Sequence, residues 1–167
     1  MPKPVLQALV LADQVYQDKV TNKFIIAGTF NQLHLRKKPS SETTVELPKD
    51  KDAEEAAEGL RKVQLSEAWV SGSPFVYISL TNIRGQAPLE LRYVDLNDYI
   101  VMLSFPFAIQ AKSPLDTIEV SVRLPVLPAP HPGVYALELL SDNEVLGSHR
   151  VTAIDGATDQ KSGEEEK

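Results

Sequence analysis

Apolar and polar residues alternate along much of this chain with the period of two that a pleated strand imposes. The clearest stretch sets Ile118, Val120, Val122 and Leu124 against Glu119, Ser121 and Arg123, a strand with one wet face. Leu89, Leu91 and Tyr93 oppose Glu90 and Arg92 in the same way, and Tyr135, Leu137 and Leu139 share another face. Two runs are largely apolar without such alternation. Val5 to Ala12 reads as a central strand covered on both sides, and Phe75 to Thr81, entered through Pro74, is rich in strand formers. A further strand is predicted from Tyr99 to Phe105, closed by Pro106.

Turn chemistry separates these runs. Asp18 to Lys23, with Asn22 suited to a left-handed conformation, joins the first strand to Phe24 to Phe30 as a hairpin, and Gly28 inside the second strand predicts a bulge or a close backbone approach. Arg84 to Gln86 reads as another turn. Pro125, Pro128, Pro130 and Pro132 forbid regular pairing in one connection. Ser141, Asp142 and Asn143 turn a terminal hairpin that runs on from Val145 to Ile154. The count comes to seven to nine strands with no alternating strong helices. The predicted fold is therefore mostly β, an antiparallel β-sandwich, with a closed barrel as the other option.

Two stretches break the pattern. Residues 36–64 are highly charged and read as an insertion, in which Asp52 is placed to cap a short helix over Ala53 to Lys62 while Gly59 counts against it. Residues 155–167 lack periodicity, carry an acidic run at Glu164 to Glu166, and are expected to form a disordered acidic tail. Residues 1–154 are then a single sandwich domain.

Composition narrows the function. The chain has 167 residues, 43% hydrophobic and 24% charged, which suits one domain with a real core. A formal charge of −6 argues against phosphate-backbone binding, so nucleic acid is not an expected partner. With no cysteine, disulfides, zinc–thiolate sites, iron–sulfur clusters and cysteine nucleophiles are excluded. No run approaches the roughly 20 apolar residues of a membrane helix, and Val5 to Ala12, ended by Asp13 and preceded only by Lys3, makes a better strand than export signal. No membrane association and a cytoplasmic location are the expectations.

Three stretches, LVLADQVYQD (residues 9–18), KFIIAGTF (23–30) and PGVYALELL (132–140), resemble a family of uncharacterised bacterial proteins. In that family a strand ending in an acidic residue leads into a hairpin like the second stretch, and a Pro-Gly-x-Tyr strand closes the domain. The resemblance covers most of the patterned chain and implies a small β-rich domain without assigning any chemistry. Neither residues 36–64 nor the acidic tail maps onto it.

Each reactive group has an ordinary structural explanation beside its functional one. Asp95, Asn97 and Asp98 place three oxygen-bearing side chains in one loop, as a calcium site would, but the spacing is not that of an EF-hand, and Asx-rich turns form for local reasons. No metal and no cofactor are therefore expected. Asp13 and Asp18 flank the first hairpin and read as strand-end acids that bond backbone N–H groups rather than an acid–base pair. His34, His131 and His149 show no ligand spacing, and no serine-hydrolase elbow, phosphate loop or dinucleotide fingerprint is present. Arg36, Lys37 and Lys38 form the basic cluster, a solvated loop or a partner contact, and Trp69 is a core anchor or a stacking platform for a sugar or peptide.

The expected function is a non-catalytic scaffold or protein-interaction module, with a protein partner and with self-association through edge strands as one mode of assembly. A small-ligand or calcium-binding module using the loops around Trp69 and Asp95 is the alternative. An enzyme built on Asp13, Asp18 or His131 is third, and needs two of them within hydrogen-bond reach.

Overall fold

A computed structural model describes residues 3–35 and 74–155. Trp69, the basic cluster, the short helix expected at 53–62 and the tail after Asp155 lie outside them. Within the described residues the fold is all β, with nine strands: β1 (Val5–Gln17), β2 (Phe24–Thr29), β3 (Gln32–Leu35), β4 (Phe75–Thr81), β5 (Gly85–Asp95), β6 (Ile100–Ala111), β7 (Ile118–Arg123), β8 (Gly133–Ser141) and β9 (Glu144–Asp155). They form a sandwich of a four-stranded sheet, ordered β2-β1-β4-β7, and a five-stranded sheet, ordered β3-β9-β8-β5-β6. Every pairing is antiparallel except β3 with β9, which is parallel.

The core forms where the inward faces predicted by alternation meet. Leu11, Val76, Ile78 and Leu80 from one sheet bury against Leu91, Tyr93, Tyr135, Leu137, Leu139 and Val151 from the other. Each large side chain so buried stabilises the fold by roughly 1.5–3 kcal/mol. β1 is a central strand, as its apolar run predicts, yet among its residues only Leu11, Ala12 and Val15 are buried. Coverage on both faces belongs to β4, whose outward Tyr77 packs with Ala12, Val15 and Phe24 in a second apolar cluster.

The turns follow local chemistry. Ser141 pairs with Glu144 across a two-residue turn in which Asp142 and Asn143 both have positive φ, the geometry that matches strand twist. Asn22 takes φ 56° in the first hairpin. Gly28 has φ 69°, and a Cβ there would run into the Asp13 carboxylate, so the glycine serves a close approach.

Pro106 does not end its strand, contrary to the expectation from sequence: β6 continues to Ala111. The reason is position. β6 is the edge of its sheet, so Pro106, opposite Glu90, directs its missing N–H to the open side and no ladder bond is lost. The proline-rich connection from β7 to β8 is irregular, as expected, and its Leu127 and Ala129 fill the core.

One seam ties the sheets together along β1 and β9. A Cβ at Gly147 would strike Leu6. Nearby, the chain crosses from β2 to β3, with Phe30 N donating to Leu11 O at 3.4 Å and Thr152 N to Asn31 O at 2.8 Å. The His149 ring lies in this seam, between the carbonyls of Leu9 and Phe30.

Candidate functional site

Alternation along β5 turns Leu89, Leu91 and Tyr93 into the core, and Asp95 continues that face at the end of the strand. An acid therefore arrives where an apolar residue would be expected, only 2% exposed. Burying an unpaired carboxylate is costly, so its oxygens need partners. Asp95 Oδ1 accepts from the Asn97 backbone N–H at 2.9 Å and from Asn97 Nδ2 at 2.8 Å. Asp95 Oδ2 meets His131 Nε2 at 2.8 Å. The first pair closes an Asx turn from Asp95 to Asn97, and the second fastens the proline-rich connection to it.

β8 supports the arrangement from beneath. Leu96 N donates to Val134 O at 3.0 Å. Tyr135, paired across the sheet with Asp95, donates its hydroxyl to His131 O at 2.8 Å. Its ring stacks on Tyr93 with centroids 5.6 Å apart and planes 14° from parallel. A side chain at Gly133 would collide with the Asn97 amide, so the position keeps space for that turn.

Electrostatics follow from burial among acids. Burial pushes the Tyr135 phenol up, opposed by the bond to His131 O and reinforced by the charges of Asp95 and Asp98. Tyr93 is pushed up further, first by burial and then by Tyr135 and Asp95, and its hydroxyl has no hydrogen-bond partner. Both phenols are therefore protonated at neutral pH.

Asp98 brings a second carboxylate to the cluster: ligand atoms of Asp95, Asp98 and His131 all lie within 4.8 Å of one another. Two carboxylates and an imidazole can hold a divalent cation. Here, however, Asp95 already satisfies Asn97 and His131, so a cation would have to displace the bond to His131.

Beside this polar base the turn presents apolar surface. Tyr99 is 81% exposed, and Ile100 and Val101 are 53% and 48% exposed. Tyr99 has φ 55°, a left-handed conformation that is sterically costly for a bulky residue.

Of the residues singled out from sequence, Asp95, Asn97 and Asp98 do share one loop, and His131 joins them. Asp13 and Asp18 do not: Asp13 lies against Gly28, and Asp18 Oδ1 accepts from the amides of Val20 at 2.7 Å and Thr21 at 2.9 Å. Neither hydrogen-bonds to His131. The bonds to its turn amides hold the Asp18 carboxyl below its ordinary range. Trp69, Arg36, Lys37 and Lys38 fall outside the described residues.

Two features escaped sequence reasoning. The pairing of Asp95 with His131 joins distant segments, and its only sequence trace is an acid on the apolar register of β5. The display of Tyr99 depends on which turn residue takes positive φ, a position better suited to glycine or asparagine. Compared with known proteins, the sequence matches no family model and no curated protein.

Proposed function

We propose that this protein is a non-catalytic β-sandwich interaction module whose contact surface is the β5–β6 turn. The observation that carries this reading is Tyr99, a large aromatic residue displayed to solvent in a left-handed backbone conformation beside exposed Ile100 and Val101. Tyrosine contributes large contact area at low entropic cost, and strain of this kind is concentrated at functional positions. The Asp95 bonds to Asn97 and His131 fix the turn before any partner arrives, which lowers the cost of binding.

Affinity capture with the full chain and with Tyr99→Asn tests the reading. Asparagine suits positive φ, so the variant keeps the turn and removes the aromatic surface. A stoichiometric partner retained by the parent and lost with Tyr99→Asn is expected. Partners retained equally by both would overturn the assignment of this surface. Sedimentation of the same two proteins separates a second copy of the chain from a different partner.

A second reading, cation binding, is favoured by the convergence of Asp95, Asp98 and His131. Calcium, magnesium or zinc should then raise the melting temperature of the parent and leave that of Asp98→Asn unchanged, because a ligand that binds only the folded state stabilises it. The interaction reading leads because the Asp95 oxygens already have partners.

A further inference from the structure

Among the described residues, four strands end the two sheets: β2 and β7 in one, β3 and β6 in the other. A sheet edge is a row of unpaired backbone groups that invites another strand, and most of these edges carry a guard. β6 has Pro106 and the bulge at Met102, β7 has Glu119 and Arg123, and β3 is only four residues long. β2, with the sequence FIIAGT, has no charge and no proline, and β-branched residues lie at its centre. It is the unguarded edge.

The hairpin fixes which groups β2 offers. One step beyond the pair Gln17–Phe24, Asp18 N donates to Lys23 O at 2.9 Å, so those two residues form a hydrogen-bonded pair. Bonded and non-bonded pairs alternate along an antiparallel ladder, so Tyr16–Ile25 is bonded while Gln17–Phe24 and Val15–Ile26 are not. The N–H and C=O groups of Phe24 and Ile26 therefore point to the open side. Side chains divide in the same way. Phe24 and Ile26 pack with Val15 and Tyr77, whereas Ile25 and its partner Tyr16 stand on the other face, 40% and 51% exposed.

From this edge we propose that β2 binds the β2 strand of a second copy of the chain, antiparallel and about a twofold axis at Ile25. In that register Phe24 of each copy opposes Ile26 of the other, and each such pair exchanges two backbone bonds. The groups required are the ones that the hairpin leaves open. On the exposed face the two copies of Ile25 meet, and a row of Tyr16, Ile25, Ile25 and Tyr16 runs unbroken across four strands, in the cross-strand contacts that stabilise sheets. Gly28, whose positive φ departs from strand geometry, lies beyond the residues that pair. A second copy fits this edge because β2 itself carries both halves of the match. Three residues a side make a short contact, so association is weak and reversible, at the low end of interface sizes. Two chains of formal charge −6 also repel, so added salt should strengthen it.

The chain has no cysteine, so a single introduced thiol reports on one contact. Facing Cα atoms at the twofold lie about 4.5 Å apart, within disulfide reach, whereas the two copies of residue 16 stand three strands apart, roughly 14 Å. Under mild oxidation Ile25→Cys should form disulfide dimers roughly tenfold faster, or more, than Tyr16→Cys at the same concentration, since the wider gap cannot be bridged without moving the backbone. Equal rates would overturn the twofold contact. Sedimentation equilibrium of the parent should show a monomer–dimer equilibrium that salt shifts toward dimer and that Tyr99→Asn leaves unchanged. Ile25→Lys sets like charges opposite each other on an exposed face and should raise the dimer Kd roughly tenfold or more. A parent that stays monomeric at about 1 mM, or a dimer that Ile25→Lys leaves intact, refutes the proposal. A dimer lost with Tyr99→Asn also refutes it, in favour of the β5–β6 turn.

Discussion

Tyr93 has its ring packed in the core and its hydroxyl without a partner, an arrangement in which the ring stabilises and the oxygen does not. Replacing it by phenylalanine should therefore raise stability by about 1 kcal/mol in urea unfolding, since an unsatisfied buried hydroxyl costs about that much or more. Tyr135 differs, because its hydroxyl reaches His131 O, and Tyr135→Phe should destabilise. Tyr77, Tyr93 and Tyr135 are all held above the ordinary phenol range, with burial the first cause in each. A raised folded-state value contributes stability that is present below about pH 10 and lost as pH climbs through the folded-state values. Phenolate absorbance should consequently show three of the five tyrosines ionising late or together with alkaline unfolding. Asp95 gives the opposite expectation to Tyr93: Asp95→Ala strands the Asn97 and His131 donors and should cost about 2 kcal/mol. Tyr99→Asn relieves backbone strain and should stabilise by roughly 1 kcal/mol while abolishing partner capture. The Asx character of residues 95–98 was legible in the sequence, because it is local chemistry. Its anchoring by His131 and Tyr135 was not, because those residues reach it through tertiary packing that composition does not encode.

Among the elements, the strands were legible from sequence by alternation or, as in β4, by a nearly continuous apolar run. β7 and β8 declare themselves by alternation, and the β8–β9 turn by Asp142 and Asn143. β6 was read too short because proline was weighed as though every strand were interior. At an edge Pro106 is tolerated, and there it also removes a donor from the open side, which guards a long apolar strand against pairing with another chain. The unpaired Met102 opposite the Tyr93–Val94 step adds a bulge to the same edge. Replacing Pro106 by valine should therefore leave the monomer folded and increase concentration-dependent association, measured by light scattering. On the outer face of that sheet, Glu90 accepts from Arg92 at 2.7 Å through both of its oxygens and from Ser104 Oγ at 2.7 Å. The Arg92 bond is the main reason that the Glu90 carboxyl sits below its ordinary range. A lowered folded-state value means a contribution present above about pH 4.3 and lost as pH falls. Glu90→Gln should accordingly lose about 0.5 kcal/mol at neutral pH and soften the acid limb of the stability curve.

At the scale of the whole molecule, the two-sheet class follows from patterning, whereas strand order does not. Nothing in the run from Gln32 to Leu35 says that it will lie parallel to β9 rather than extend the β1–β2 hairpin, since four residues carry too little pattern to choose a neighbour. Nor does the sequence announce the seam at which Gly147 and His149 meet β1, because a glycine and a histidine look ordinary until the opposite sheet is in place. The parallel pairing of β3 also sets an order of events. β3 lies early in the chain, but its ladder partner is the last of the nine strands, so its N–H and C=O groups stay unmatched until β9 has formed. During synthesis β3 has no edge to join until β9 is made, whereas the first hairpin can pair with β4 well before that. Closing so long a loop is entropically slow, which places this sandwich among domains that fold in milliseconds to seconds rather than microseconds. The docking of β3 on β9 is then a late event, which ties the segment after the first hairpin to the last of the nine strands.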